Sequence, residues 1–194
     1  MIPVYLSDLE LPHVFVQYCK SPEKYIRESN ADEHIVDSDR KKISGFVTAH
    51  FGQEEDKADK YFSIVNQSGH SYSLLLIDKG LIKTPLTKKC DCAVVNSKDL
   101  LLIEFKANAL TDNPLRIDNN YQKAIEQILA TMNIFAAYYR TINVSLKDLR
   151  NVEAYICFRH GYPKNTASQM NYQVSFAQRS GGIPLSFKQE RILK

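Results

Sequence analysis

Three residues combine types and spacing that could do chemistry: Asp91, Glu104 and Lys106. Glu104 and Lys106 stand two apart in Leu100-Leu101-Leu102-Ile103-Glu104-Phe105-Lys106-Ala107, an otherwise apolar, strand-forming stretch. Side chains alternate along a strand, so Leu102, Glu104 and Lys106 share one face and Leu101, Ile103 and Phe105 the other. Apart from that acid and base both faces are apolar, the pattern of a strand buried on both sides. A carboxylate there is costly unless it is paired or binds a metal. A second acid, Asp91, sits in Lys89-Cys90-Asp91-Cys92-Ala93-Val94-Val95, and only the short polar Asn96-Ser97-Lys98-Asp99 separates the two stretches. They are expected to form an antiparallel hairpin that sets Asp91 beside Glu104.

Two carboxylates flanked by a lysine make an oxygen-ligand site for Mg²⁺ or Mn²⁺, with the Phe105 carbonyl as a further ligand. A cation so held polarises a phosphate oxygen and lowers the pKa of bound water. Lys106 would orient that water or stabilise charge in the transition state. The chemistry is that of phosphodiester hydrolysis.

These residues need positioning elements. Ser71 to Asp78 reads as a strand that precedes the hairpin. From Asp39 to about residue 65, Ile43, Val47, His50, Phe51, Ala58, Tyr61, Phe62 and Val65 recur at helical spacing, with Gly52 as a weak point and Glu54 on the apolar stripe. Residues 108–120 read as a loop, with Asp118 or Asn119 capping a long helix. Tyr121, Ile125, Ile128, Met132, Phe135 and Tyr139 line one face of that helix. Val152 to Phe158 is a further strand, and Tyr172 to Phe176 a weaker one, before the Gly181-Gly182 turn and a last short strand at Leu185. Near the start, Val14 to Tyr18 fits a helix or a short strand, and Ser21-Pro22 a helix start. The order predicts an α/β fold with a mixed central β-sheet flanked by helices.

Asp91, then twelve residues, then Glu104-Phe105-Lys106 resembles the PD-(D/E)XK nuclease superfamily, over roughly residues 40–158. Cys90 stands where that motif has its proline. The resemblance implies a restriction-endonuclease-like αβββαβ core, Asp91 and Glu104 as metal ligands, and Lys106 as a catalytic base or stabiliser. It further implies an acid from the first core helix, Glu54 or alternatively Glu55, and a polar residue from the helix after the E-x-K strand. Gln127 is the candidate there, with Gln122 and Lys123 as rivals. The implied substrate is nucleic acid, DNA ahead of RNA. A prokaryotic defence or restriction effector is the implied setting, as a homodimer or as a subunit of a larger complex. Two other readings compete: a non-catalytic binding subunit on the same fold, and an unrelated α/β domain whose E-x-K is accidental.

The bulk properties fit one domain of 194 residues, with residues 1–39 and 159–194 as extensions around the core. The net charge of +3 is compatible with a nucleic-acid partner without demanding one, and Arg40-Lys41-Lys42 and Lys88-Lys89 are the compact basic runs. Apolar runs fall far short of the roughly 20 residues of a membrane span. Met1-Ile2-Pro3-Val4-Tyr5-Leu6 has no basic leader, so a cytoplasmic protein with reduced thiols is expected. Cys90-x-Cys92 has no second pair at ligand spacing, and on a strand both thiols would point away from Asp91, so it reads as core rather than zinc site. Cys157 also reads as core, and His50 and His160 as structural.

Overall fold

The apolar hairpin lies at the centre of the larger of two sheets. In the computed structural model, which describes residues 10–37, 49–52, 61–106, 113–158 and 166–194, the chain opens with a short helix α1 (Leu11–Val14) and a 3-10 turn (Pro22–Tyr25). Strands follow as β1 (Ile26–Ser29), β2 (Glu33–Asp37), β3 (Ala49–Gly52), β4 (Tyr61–Asn66), β5 (Tyr72–Leu76), β6 (Cys92–Val95) and β7 (Asp99–Lys106). Then come α2 (Pro114–Thr141), α3 (Leu146–Leu149), β8 (Asn151–Phe158), α4 (Thr166–Ser180), β9 (Leu185–Ser186) and β10 (Glu190–Leu193).

The larger sheet has six strands in the order β1-β5-β6-β7-β8-β9, antiparallel up to β7 and parallel beyond it. The fold is therefore α/β with a mixed central sheet. A smaller sheet runs β10-β4-β2-β3. Leu75, Ala93, Leu100, Leu102 and Ile156 pack under α2, while Leu74, Val94, Leu101, Ile103 and Tyr155 pack against Ile35, Phe62, Ile64 and Leu193 of the smaller sheet. Among the described residues, helices cover one face of the central sheet and a second sheet covers the other. Leu100 to Ile103 are completely buried, and four such side chains contribute on the order of 10 kcal/mol. That burial draws the charged end of β7 into the interior.

α2 is capped by Asn113, whose side chain accepts from the Leu115 and Arg116 amides, with Pro114 at the first helical position. The cap thus lies earlier than Asp118 or Asn119, and part of the expected 108–120 loop is helix. The expected apolar face is buried in full, from Tyr121 through Tyr139.

Three other expectations are corrected. The helix expected over residues 39–65 is replaced, where the chain is described, by strands β3 and β4. Phe62 and Ile64, two apart, both enter the core between the sheets, and β4 gains partners from β2 and β10, far away in sequence. Tyr172 to Phe176 lies in α4 rather than a strand. Tyr172 and Phe176 are four apart on one buried face, and Tyr172 stacks on Tyr121 at 4.7 Å. The two thiols of Cys90 and Cys92 do not share a face. Cys90 packs with the α2 side and Cys92 with the smaller sheet, because regular strand geometry begins only at Cys92.

The Gly181-Gly182 turn is present, with φ of 68° and 95°, where L side chains are strained. Among the described residues no helix is long and apolar enough to cross a membrane.

Candidate functional site

The register of the central hairpin decides the site. Cys92 pairs with Ile103, which brings Asp91 opposite Glu104 one step further along. The chain at Asp91 is pinned from both sides. Its carbonyl accepts from the Ile77 and Asp78 amides at 3.1 and 3.0 Å, and its Oδ2 accepts from the Phe105 amide at 2.7 Å. Asp91 is thereby tied to the end of β5 and the end of β7 together.

Glu104 lies on the α2 side of β7, as alternation requires, and is 1% exposed. Its Oε1 accepts from Lys106 Nζ at 2.5 Å, while its Oε2 is buried and has no hydrogen-bond partner among the described residues. Burial raises the Glu104 carboxyl well above the ordinary range, and the nearby Asp91 adds to the rise against the opposing pull of Lys106. A buried, unpaired carboxylate oxygen costs stability and asks for a cation or a proton.

Lys106 Nζ also donates to Gln127 Oε1, and Gln127 Nε2 donates to the Lys89 carbonyl at 3.0 Å. One turn along α2, Thr131 Oγ1 accepts from the Cys90 amide at 2.8 Å and donates to the Gln127 carbonyl at 3.1 Å. Two consecutive backbone groups ahead of β6 are thus satisfied by side chains at i and i+4 of the helix, which share a face. Gln127 and Thr131 seat the helix on the irregular segment that carries Asp91.

Of the residues expected at the site, Asp91, Glu104, Phe105, Lys106 and Gln127 come together. Glu54 and Glu55 lie outside the described residues. Gln122 and Lys123 take no hydrogen bond to Lys106 and instead line a neighbouring cleft. Sequence reasoning missed Asp78, Lys89 and Thr131. Asp78 ends an apolar strand run, the same signal that marks Glu104, and it contributes to the raised Glu104 carboxyl. Lys89 is 7% exposed, ion-paired to Asp78 at 3.2 Å, and donates to the Thr84 carbonyl at 2.7 Å. Burial pushes the Cys90 and Cys157 thiols up, so neither is a ready thiolate.

Among the described residues no group of three or more His, Cys, Asp or Glu side chains is arranged to hold a metal. Two adjacent carboxylates with an orphaned buried oxygen are nonetheless an all-oxygen donor set of the kind a hard divalent cation takes. In comparisons with family models, curated proteins and solved structures, nothing matched.

Proposed function

We propose that this protein is a metal-dependent nuclease of the PD-(D/E)XK type, with a restriction-endonuclease-like fold, hydrolysing phosphodiester bonds of nucleic acid. The observation that carries the proposal is the meeting of Asp91 and Glu104 across the β6–β7 hairpin, with Lys106 in contact and Glu104 Oε2 left without a partner among the described residues. Asp91 and Glu104, with the Phe105 carbonyl, would hold Mg²⁺ or Mn²⁺. When bound, the cation supplies Lewis-acid polarisation of the phosphate and a more acidic water.

The chain's own groups do the rest. The Phe105 amide holds one Asp91 oxygen, which orients the carboxylate. Lys106 brings a positive charge to the developing phosphate oxyanion or steers the attacking water. Gln127 is a positioning residue, since it fixes Lys106 and is itself fixed by the Lys89 carbonyl. DNA is the proposed substrate ahead of RNA, in the setting of a prokaryotic defence or restriction system. A homodimer, or docking to a larger complex, would supply the second cut or the control that this chain needs.

The test is cleavage of labelled DNA and RNA in Mg²⁺ and in Mn²⁺. Cleavage is expected to stop in EDTA and in Glu104→Ala, Asp91→Asn and Lys106→Ala. Cleavage that survives the Glu104 and Lys106 substitutions rules out this site.

A further inference from the structure

Beside Lys106 and Glu104 opens a cleft of about 400 Å³, walled on one side by α2 and on the other by the segment from Pro85 to Lys89. It is continuous with the site, because Gln127 and Lys89 belong to both. The α2 wall presents Asn119, Gln122, Lys123 and Glu126 before Gln127, spaced so that one helix face looks into the cleft. The acids on its walls are already neutralised: Asp78 pairs with Lys89 at 3.2 Å, and Glu126 pairs with Arg179 and, at 3.9 Å, with Lys88. Asn119, Gln122 and Lys123 have no side-chain partner among the described residues. The cleft thus offers two unengaged amides and an unengaged ammonium at Lys123, with Lys88, already paired to Glu126, as a further cation on its wall.

Resting on the nuclease proposal, we propose that this cleft takes one unpaired nucleotide beside the scissile phosphate, so that the substrate is single-stranded rather than duplex. The volume falls in the range of sites that enclose one small ligand. A base inside a duplex is stacked and paired, and reaches a pocket of this kind only after unstacking that costs a few kcal/mol, whereas an unpaired base enters without that cost. Amides offer a donor and an acceptor each, which match the edge of an extruded base, while the ammonium groups match phosphate. None of the cleft-lining residues described is aromatic, so the base is held by its edge and not by stacking. Edge recognition discriminates between bases, whereas a stacking platform tolerates all of them.

The test is fluorescence anisotropy in EDTA with labelled single-stranded DNA oligonucleotides of each base and a blunt duplex, for the wild type and for Gln122→Ala/Lys123→Ala. Both replaced residues are exposed on a helix, so the fold is retained. Single strands are expected to bind about tenfold tighter than duplex, with one base preferred. The double variant is expected to lose about tenfold on single strands, the weight of one charge-assisted hydrogen bond, and to show a salt slope shallower by about 0.7. Equal or tighter duplex binding, or a variant that binds single strands like the wild type, overturns the cleft assignment. The two proposals fail separately. Duplex cleavage in Mg²⁺ that the double variant leaves unchanged removes the cleft and keeps the nuclease. Single-strand binding that the variant weakens, with no cleavage in Mg²⁺ or Mn²⁺, keeps the cleft and removes the nuclease.

Discussion

Replacing Lys106 with methionine probes the least comfortable part of the structure, the buried carboxyl of Glu104. Methionine keeps most of the stem and deletes the charge. Among the described residues, Glu104 Oε1 then loses its one partner, and Oε2 already has none. If Glu104 stayed ionised, breaking a buried pair would cost about 3–5 kcal/mol. Protonation limits that cost, since each pH unit below the folded-state value returns about 1.4 kcal/mol.

The sign follows from the direction of the Glu104 shift. A carboxyl raised in the folded state contributes stability that is present below its unfolded value, about 4.3, and is lost as pH rises through its folded value. Lys106 lowers that folded value, so removing it extends the loss to higher pH. Gln127 Oε1 also loses a donor, worth about 1 kcal/mol at any pH. In EDTA, the destabilisation of Lys106→Met is therefore expected to grow between pH 5.5 and pH 8.5, from about 1 kcal/mol where Glu104 is protonated toward about 3–5 kcal/mol where it is ionised. Urea unfolding at both pH values measures it. Adding Glu104→Gln to Lys106→Met should flatten the pH dependence. A pH-independent loss for the single variant, or a double variant with the same slope, would show that Glu104 is not the buried, cation-dependent group described.

Other perturbations follow from the same contacts. Thr131→Val strands the Cys90 amide in the interior and should cost about 1–3 kcal/mol, a Tm fall of roughly 2–4 °C per kcal/mol by calorimetry. Asn113→Ala removes the cap of α2 and should cost about 1 kcal/mol in the same assay. Asp91→Asn keeps an acceptor for the Phe105 amide, so its Tm should stay near wild type while metal-dependent cleavage disappears. Gln127→Ala should lower kcat more than it changes KM, because both ends of its amide are engaged within the protein, on Lys106 and on the Lys89 carbonyl; an unchanged kcat would refute its positioning role.

How much was legible in the residues depends on the range of the interactions. The apolar run around Glu104, the two-residue alternation on β7 and the short Asn96–Asp99 connection are local features. They were enough to pair the strands and bring Asp91 to Glu104, because a tight hairpin leaves few alternative registers. The apolar stripe of α2 was equally plain from Tyr121 to Tyr139. Tertiary structure overruled the pattern where partners came from far away. Residues 61–66 carry spacing that suits a helix, yet pairing with β2 and β10 makes them a strand. Tyr172 to Phe176 alternates like a strand, yet stacking on Tyr121 and burial of Phe176 reward a helix.

The sequence alone determined which acids and which lysine would meet, since those groups lie within one hairpin. Only the folded chain decided that Gln127 rather than Gln122 or Lys123 grips Lys106, and that Thr131, Lys89 and Asp78 join the network. The rotation of α2 over the sheet sets those contacts, and that rotation is fixed by packing between elements distant along the chain, which no local spacing encodes.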